Sequence, residues 1–115
     1  HRNRNGLLYN QLLATVEGVI TPKIRENAYH VFHLYVIRTK DRVALQQHLQ
    51  TNGIQTAIHY PTALPFLPCY AHKGYSAKDF PVAYQYQKEI LSLPMYAELS
   101  TAQIKEIVKI LYQNV

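Results

Sequence analysis

Histidine and tyrosine side chains at the ends of β-type segments carry what chemistry this sequence offers. His59-Tyr60-Pro61 closes one such segment, and His33 lies in another, two residues before Tyr35. Imidazole and phenol groups hydrogen-bond a polyol, and their ring faces cover its apolar side. Strand ends are also where α/β sheets tend to bind ligands. His59 and Tyr60 are therefore the first candidates for the wall of a binding site, and His33 the third. A plainer reading stands beside this one. His59 can bond backbone at a strand end while Tyr60 packs in the core, and His33 can be a satisfied core histidine. Tyr35 reads as core, and Arg38 either meets a phosphate or flanks a strand end. Tyr84 and Tyr86 read as packing or dimer contacts.

Other chemistries lack their residues. The four glycines are too scattered for a phosphate-binding loop. No His-x-x-x-His and no carboxylate cluster offers a metal site. Cys69, the only cysteine, rules out an internal disulfide and suits a reducing, cytoplasmic compartment. Cys69 and His72 lie close in sequence, but no third group is placed to orient them. The formal charge is +5, yet Lys and Arg are dispersed, which speaks against nucleic acid. No apolar run reaches the roughly 18 residues that span a bilayer. The chain starts at His1 rather than Met, and position 1 reads as a cut in a longer polypeptide.

The positioning elements follow from periodicity. The spacing of Leu8, Leu12, Leu13 and Val16 predicts a helix over residues 2–16, with Tyr9 and Leu13 an i, i+4 pair. His30 to Thr39 is a central strand, its alternation setting Phe32, Leu34 and Val36 against His33, Tyr35 and Ile37. Asp41 caps a helix whose buried stripe is Val43, Ala44, Leu45 and Leu49, ending at Gly53. Ile54–Ile58 is a short strand. A long loop with Pro61, Pro65 and Pro68 runs to about Lys78, too apolar for simple disorder. Asp79 caps a helix over Phe80–Leu91, and Ser92-Leu93-Pro94 is an edge strand. Ser100 caps the last helix, with Ile104, Ile107, Val108 and Leu111 on its apolar face.

Read in order, these segments resemble the C-terminal domain of the DegT/DnrJ/EryC1/StrS family of pyridoxal-phosphate-dependent nucleotide-sugar aminotransferases. The resemblance rests on His33 through Arg38, on Leu49 to His59-Tyr60-Pro61, on Tyr70 with Phe80-Pro81-Val82-Ala83, and on Leu91-Ser92-Leu93-Pro94-Met95-Tyr96. Many members follow His-Tyr-Pro with Pro-Leu-His-x-Gln. Here Ala63-Leu64-Pro65-Phe66-Leu67 replaces it, so contacts made by that second histidine and glutamine do not carry over.

The resemblance implies an α/β (α+β) fold: the small C-terminal domain of a fold-type I aminotransferase, with about three strands covered by helices. It implies one domain over residues 1–115, with 1–18 the helix leaving a large domain. Pyridoxal phosphate would be bound mainly by that N-terminal domain, whose motif near His-Gly-Phe-Asn-x-Lys is absent here. No cofactor is expected on this piece, which would be inactive alone. The implied partners are a nucleotide-linked keto-sugar, glutamate as amino donor, and a second subunit in a homodimer. The implied products feed lipopolysaccharide, other surface polysaccharide or deoxyaminosugar biosynthesis. A non-catalytic sugar- or nucleotide-binding module, or a dimerisation module, is the alternative.

Overall fold

In the computed structural model, which describes residues 1–113, four α-helices surround a three-stranded antiparallel sheet. In chain order these are α1 (Arg2–Leu13), β1 (Val19–Ile20), β2 (Tyr35–Thr39), α2 (Arg42–Thr51), α3 (Pro81–Glu89), β3 (Ile90–Leu93) and α4 (Thr101–Tyr112). Two 3₁₀ segments, Leu64–Phe66 and Pro68–Lys73, give shape to the proline-rich loop before α3.

The sheet runs β1-β2-β3, so β2 is central and β3 lies at an edge, as the sequence predicts. Tyr35 pairs with Leu93 and Ile37 with Leu91. All four side chains are buried and, by strand parity, share one face. Tyr9 and Leu13 of α1, Leu45 and Leu49 of α2, and Ile104, Val108 and Leu111 of α4 complete that core. The opposite face presents Val36 opposite Ser92 and Arg38 opposite Ile90. The sheet thus divides the molecule into a helical core on one side and, on the other, the surface that carries α3 and the His59 loop.

Local chemistry sets the helix ends. The Ser100 hydroxyl accepts from Gln103 N–H while the Gln103 side chain accepts from Ser100 N–H, a complete capping box. Asp41 accepts from Ala44 N–H at the start of α2. At its end Gly53 takes φ +77°, Gly53 N–H bonds to Gln50 C=O, and Ile54 N–H bonds to Leu49 C=O. That pair of bonds is a Schellman motif.

Several expectations need correction. The strand drawn from His30 begins only at Tyr35, because Phe32 sits at φ +46° with its N–H bonded to His30 Nδ1. The turn breaks the alternation. Phe32 becomes fully buried beside Tyr35 instead of facing the other way, and His33 is exposed rather than in the core. Ile54–Ile58 is not a strand: Ile54 is used in the helix cap, and only Ala57 pairs, with Ser92. Val43 and Ala44 are exposed, since α2 turns only the Leu45–Leu49 stripe inward. Asp79 does not cap α3. Its carboxylate instead accepts from Ser76 N–H and Oγ–H, which holds its pKa below the usual carboxylate value. β1 carries no sequence signal, being two residues that pair with Thr39 and Arg38.

Candidate functional site

His59 and Tyr60 stand where the chain leaves its single bridge to β3. The Ala57–Ser92 backbone pair fixes the approach, with Ser92 N–H to Ala57 C=O at 2.7 Å and the reverse bond at 3.1 Å. His59 Nδ1 then lies 2.9 Å from the Ser92 hydroxyl. The Tyr60 ring stands edge-on to the imidazole, with centroids 5.6 Å apart. Three residues further on, Ala63 N–H donates to the Gln87 side chain of α3 at 2.8 Å. The His59–Ala63 segment is thus pinned at one end to β3 and at the other to α3.

Between these anchors lies a cavity of about 600 Å³ lined by His59, Tyr60, Leu64, Leu67, Ala83 and Tyr86, among others. Most of its lining is apolar, and its polar side chains are those of His59, Tyr60, Thr62, Tyr86 and Gln87. That mixture is the usual make-up of a small-molecule site. Tyr60 is 71% exposed, so its phenol stands at the mouth rather than in the core.

Arg38 does not line this cavity but holds Tyr86, which does. Its guanidinium pairs with Glu89 at 3.2 Å and lies 3.9 Å over the Tyr86 ring, a cation–π arrangement. Arg38 is therefore committed to α3 in this structure and does not stand free for a phosphate. Arg42 holds the same helix from the other side, donating to Gln87 C=O at 2.6 Å.

The structure does not bring all three sequence candidates together. His59 and Tyr60 share the cavity, whereas His33 does not line it. His33 is exposed near the start of α1, where its carbonyl accepts from Arg2 at 2.7 Å. Two participants went unread in the sequence, Ser92 and Gln87. The sequence offers Ser92 as part of an edge strand and of the Leu91–Tyr96 segment but gives it no role in a site, and the signal available was its polarity between two leucines. Gln87 has no local signature at all. Tyr35 is core, stacked on Tyr9 at 4.6 Å. Burial raises the pKa of both phenols well above the usual value, with the neighbouring phenols adding to the effect at Tyr9.

A second cavity, of about 540 Å³, lies between β1 and the start of α2. Neither histidine nor aromatic side chains line it; its polar groups are Glu17, Thr39, Lys40, Asp41, Gln85 and Glu89. Among the described residues no group of three metal-ligating side chains converges, and no helix is long and apolar enough to cross a membrane.

The chain is matched over residues 1–112 by the model of the DegT/DnrJ/EryC1/StrS aminotransferase family. It is 40% identical over 110 residues to a protein of Geobacillus stearothermophilus named pleiotropic regulatory protein, covering 94% of this chain and 30% of that one. It is 35% identical over 91 residues to dTDP-3-amino-3,6-dideoxy-alpha-D-galactopyranose transaminase of Aneurinibacillus thermoaerophilus, covering 76% and 24%. Its fold superposes on the S. venezuelae protein DesV, solved in complex with a ketimine intermediate, with a TM-score of 0.92 and 28% identity. That match covers 97% of this chain and 30% of DesV. The chain thus spans less than a third of each of these proteins.

Proposed function

The chain belongs to the DegT/DnrJ/EryC1/StrS aminotransferase family, and on that premise we propose that it is the C-terminal small domain of an enzyme that aminates a nucleotide-linked keto-sugar. The observation that carries this reading is the His59–Tyr60 cavity, built on a domain that superposes almost end to end on part of DesV. The name of the transaminase from A. thermoaerophilus supports a nucleotide-linked sugar as the substrate class. Glutamate is the proposed amino donor. The proposed products enter surface-polysaccharide or deoxyaminosugar assembly, in the cytoplasm.

Pyridoxal phosphate, when bound, supplies the electron sink for amino transfer. This chain's residues do not fit its covalent anchor. A nucleophilic lysine needs desolvation or a cationic neighbour. All seven lysines are exposed, from Lys23 to Lys109. The anchoring lysine is therefore assigned to the remainder of the protein.

The chain's own part is to bind and orient. His59 and Tyr60 offer an imidazole and a phenol to sugar oxygens, while the half-buried Leu67 and Ala83 give the ring an apolar surface to lie on. His33, outside this cavity, would touch substrate only at another point of the assembled enzyme. Tyr75 and Phe80, exposed and in edge-on contact at 5.0 Å, offer apolar surface on which a large domain or second subunit would pack.

The test is turnover. Full-length protein is given dTDP- and UDP-linked keto-sugars with glutamate, and amino-sugar product is measured. Substituting His59→Ala or Tyr60→Ala is expected to raise KM for the sugar nucleotide about tenfold, roughly the worth of one hydrogen bond. A protein that binds these sugars without aminating them supports the second reading, a non-catalytic module. The regulatory name of the G. stearothermophilus relative favours that alternative. A protein that neither binds nor aminates them overturns both.

A further inference from the structure

Ser92 is 4% exposed, on a strand whose neighbours are leucines, and its backbone is fully used in pairing with Ala57. Its hydroxyl carries one proton and needs one acceptor. Among the described residues the only side-chain partner is Nδ1 of His59, at 2.9 Å. If Nδ1 held the proton and donated it, the serine proton would be left buried without an acceptor, a costly arrangement. If the serine donates instead, both groups are satisfied. The imidazole proton then sits on Nε2, the nitrogen left over. Nε2 has no hydrogen-bond partner among the described residues, and no buried side-chain nitrogen is left unpartnered, so Nε2 is open to solvent.

We propose that Ser92 is a positioning residue: its hydroxyl donates to His59 Nδ1, fixes the Nε2–H tautomer, and so presents a hydrogen-bond donor to an acceptor oxygen of the ligand in the His59–Tyr60 cavity. The tautomer clamp stands on the geometry of this chain alone. The identity of the acceptor, an oxygen of the nucleotide-linked sugar, rests on the proposed transaminase reading. The clamp accounts for a polar residue at a buried position between Leu91 and Leu93. It also gives the imidazole one fixed ring orientation, since its other end is tied to the sheet.

The test uses full-length protein with 15N-labelled histidine, at alkaline pH where imidazole is neutral. The His59 resonances are expected to show a protonated Nε2 and an unprotonated, hydrogen-bonded Nδ1. In Ser92→Ala the Nδ1 resonance should move to the position of a free ring nitrogen. With a dTDP-linked keto-sugar that the enzyme turns over, Ser92→Ala should raise KM about tenfold, and Ser92→Thr should restore KM. A protonated Nδ1 in the unsubstituted protein overturns the proposal, and so does an Nδ1 resonance that Ser92→Ala leaves in place. If Ser92→Ala does not fold, the tautomer of the unsubstituted protein decides alone. Equal KM losses in the Ala and Thr variants refute the role of the hydroxyl. If the tautomer result holds but no nucleotide-linked sugar is aminated, the transaminase reading falls and the clamp stands.

Discussion

Gly6 of α1 faces the buried ring of Phe32, and replacing it with alanine should have opposite effects in two backgrounds. A Cβ at Gly6 would stand 2.5 Å from Phe32 Cγ and 2.6 Å from Cε2, and closer still to Cδ2. The ring has little room to retreat. Phe32 is fully buried, its centroid is 4.1 Å from that of His30 and 5.8 Å from that of Tyr35, and its own backbone is at φ +46°. Overpacking of this kind costs about 1–3 kcal/mol, and a ring held on several sides argues for the upper figure. Alanine in a helix interior returns about 1 kcal/mol relative to glycine. The Gly6→Ala change should therefore destabilise by about 2 kcal/mol. In a Phe32→Ala background the ring is gone, only the helix term survives, and the same change should stabilise by about 1 kcal/mol. Urea unfolding followed by far-UV ellipticity reads both values, through a shift in midpoint at constant slope. An effect of the same sign and size in both backgrounds would refute the claim that Phe32 is what demands glycine.

Three further outcomes follow from the same packing. Asn5 is fully buried and its amide donates to Tyr96 C=O at 3.1 Å and Leu99 C=O at 3.0 Å. Asn5→Leu should cost about 2–4 kcal/mol in urea unfolding, because two carbonyls lose their donor, and a loss under 1 kcal/mol would contradict this. Ser100→Ala removes half of the capping box and should cost about 1 kcal/mol, seen as a lower thermal midpoint. Tyr9 and Tyr35 have pKa values raised by burial, so the unfolded chain loses their protons first. Their contribution is fully present below about pH 10, the ordinary phenol value, and is lost as pH rises beyond it. Thermal midpoints should fall above pH 10, and fall less steeply in Tyr9→Phe; equal slopes would count against a buried, neutral Tyr9.

Much of the fold was legible because its signals are local. The Ser100 cap, the Ile104–Leu111 stripe, Asp41 and Gly53 each act within a single helix or at its end and appear as read. The misreadings share a different origin. Phe32 has the composition of a strand residue, but its positive φ is set by the His30 ring and by the space over Gly6, 26 residues away in sequence. Asp79 has the residue type of a cap, but the helix begins at Pro81 with Phe80 in the cap position, and the Asp79 carboxylate accepts from Ser76 instead. Ile54 looks like the start of a strand, but its N–H closes the preceding helix. The candidate site divides the same way. His59 and Tyr60 stand out by residue type at a segment end. Ser92 and Gln87, which anchor that segment, lie 33 and 24 residues from their partners, and no sequence spacing announces them.

The central claim is that this chain forms one wall of a cofactor-dependent transaminase whose anchoring lysine lies elsewhere in the protein. Borohydride treatment of the full-length protein, followed by mass analysis of every lysine-containing peptide, tests it directly, since reduction makes the lysine–cofactor linkage permanent. The account predicts one pyridoxyl-lysine, in a peptide outside these 115 residues. A pyridoxyl group on any of the seven lysines from Lys23 to Lys109, or no modified lysine at all, would contradict it.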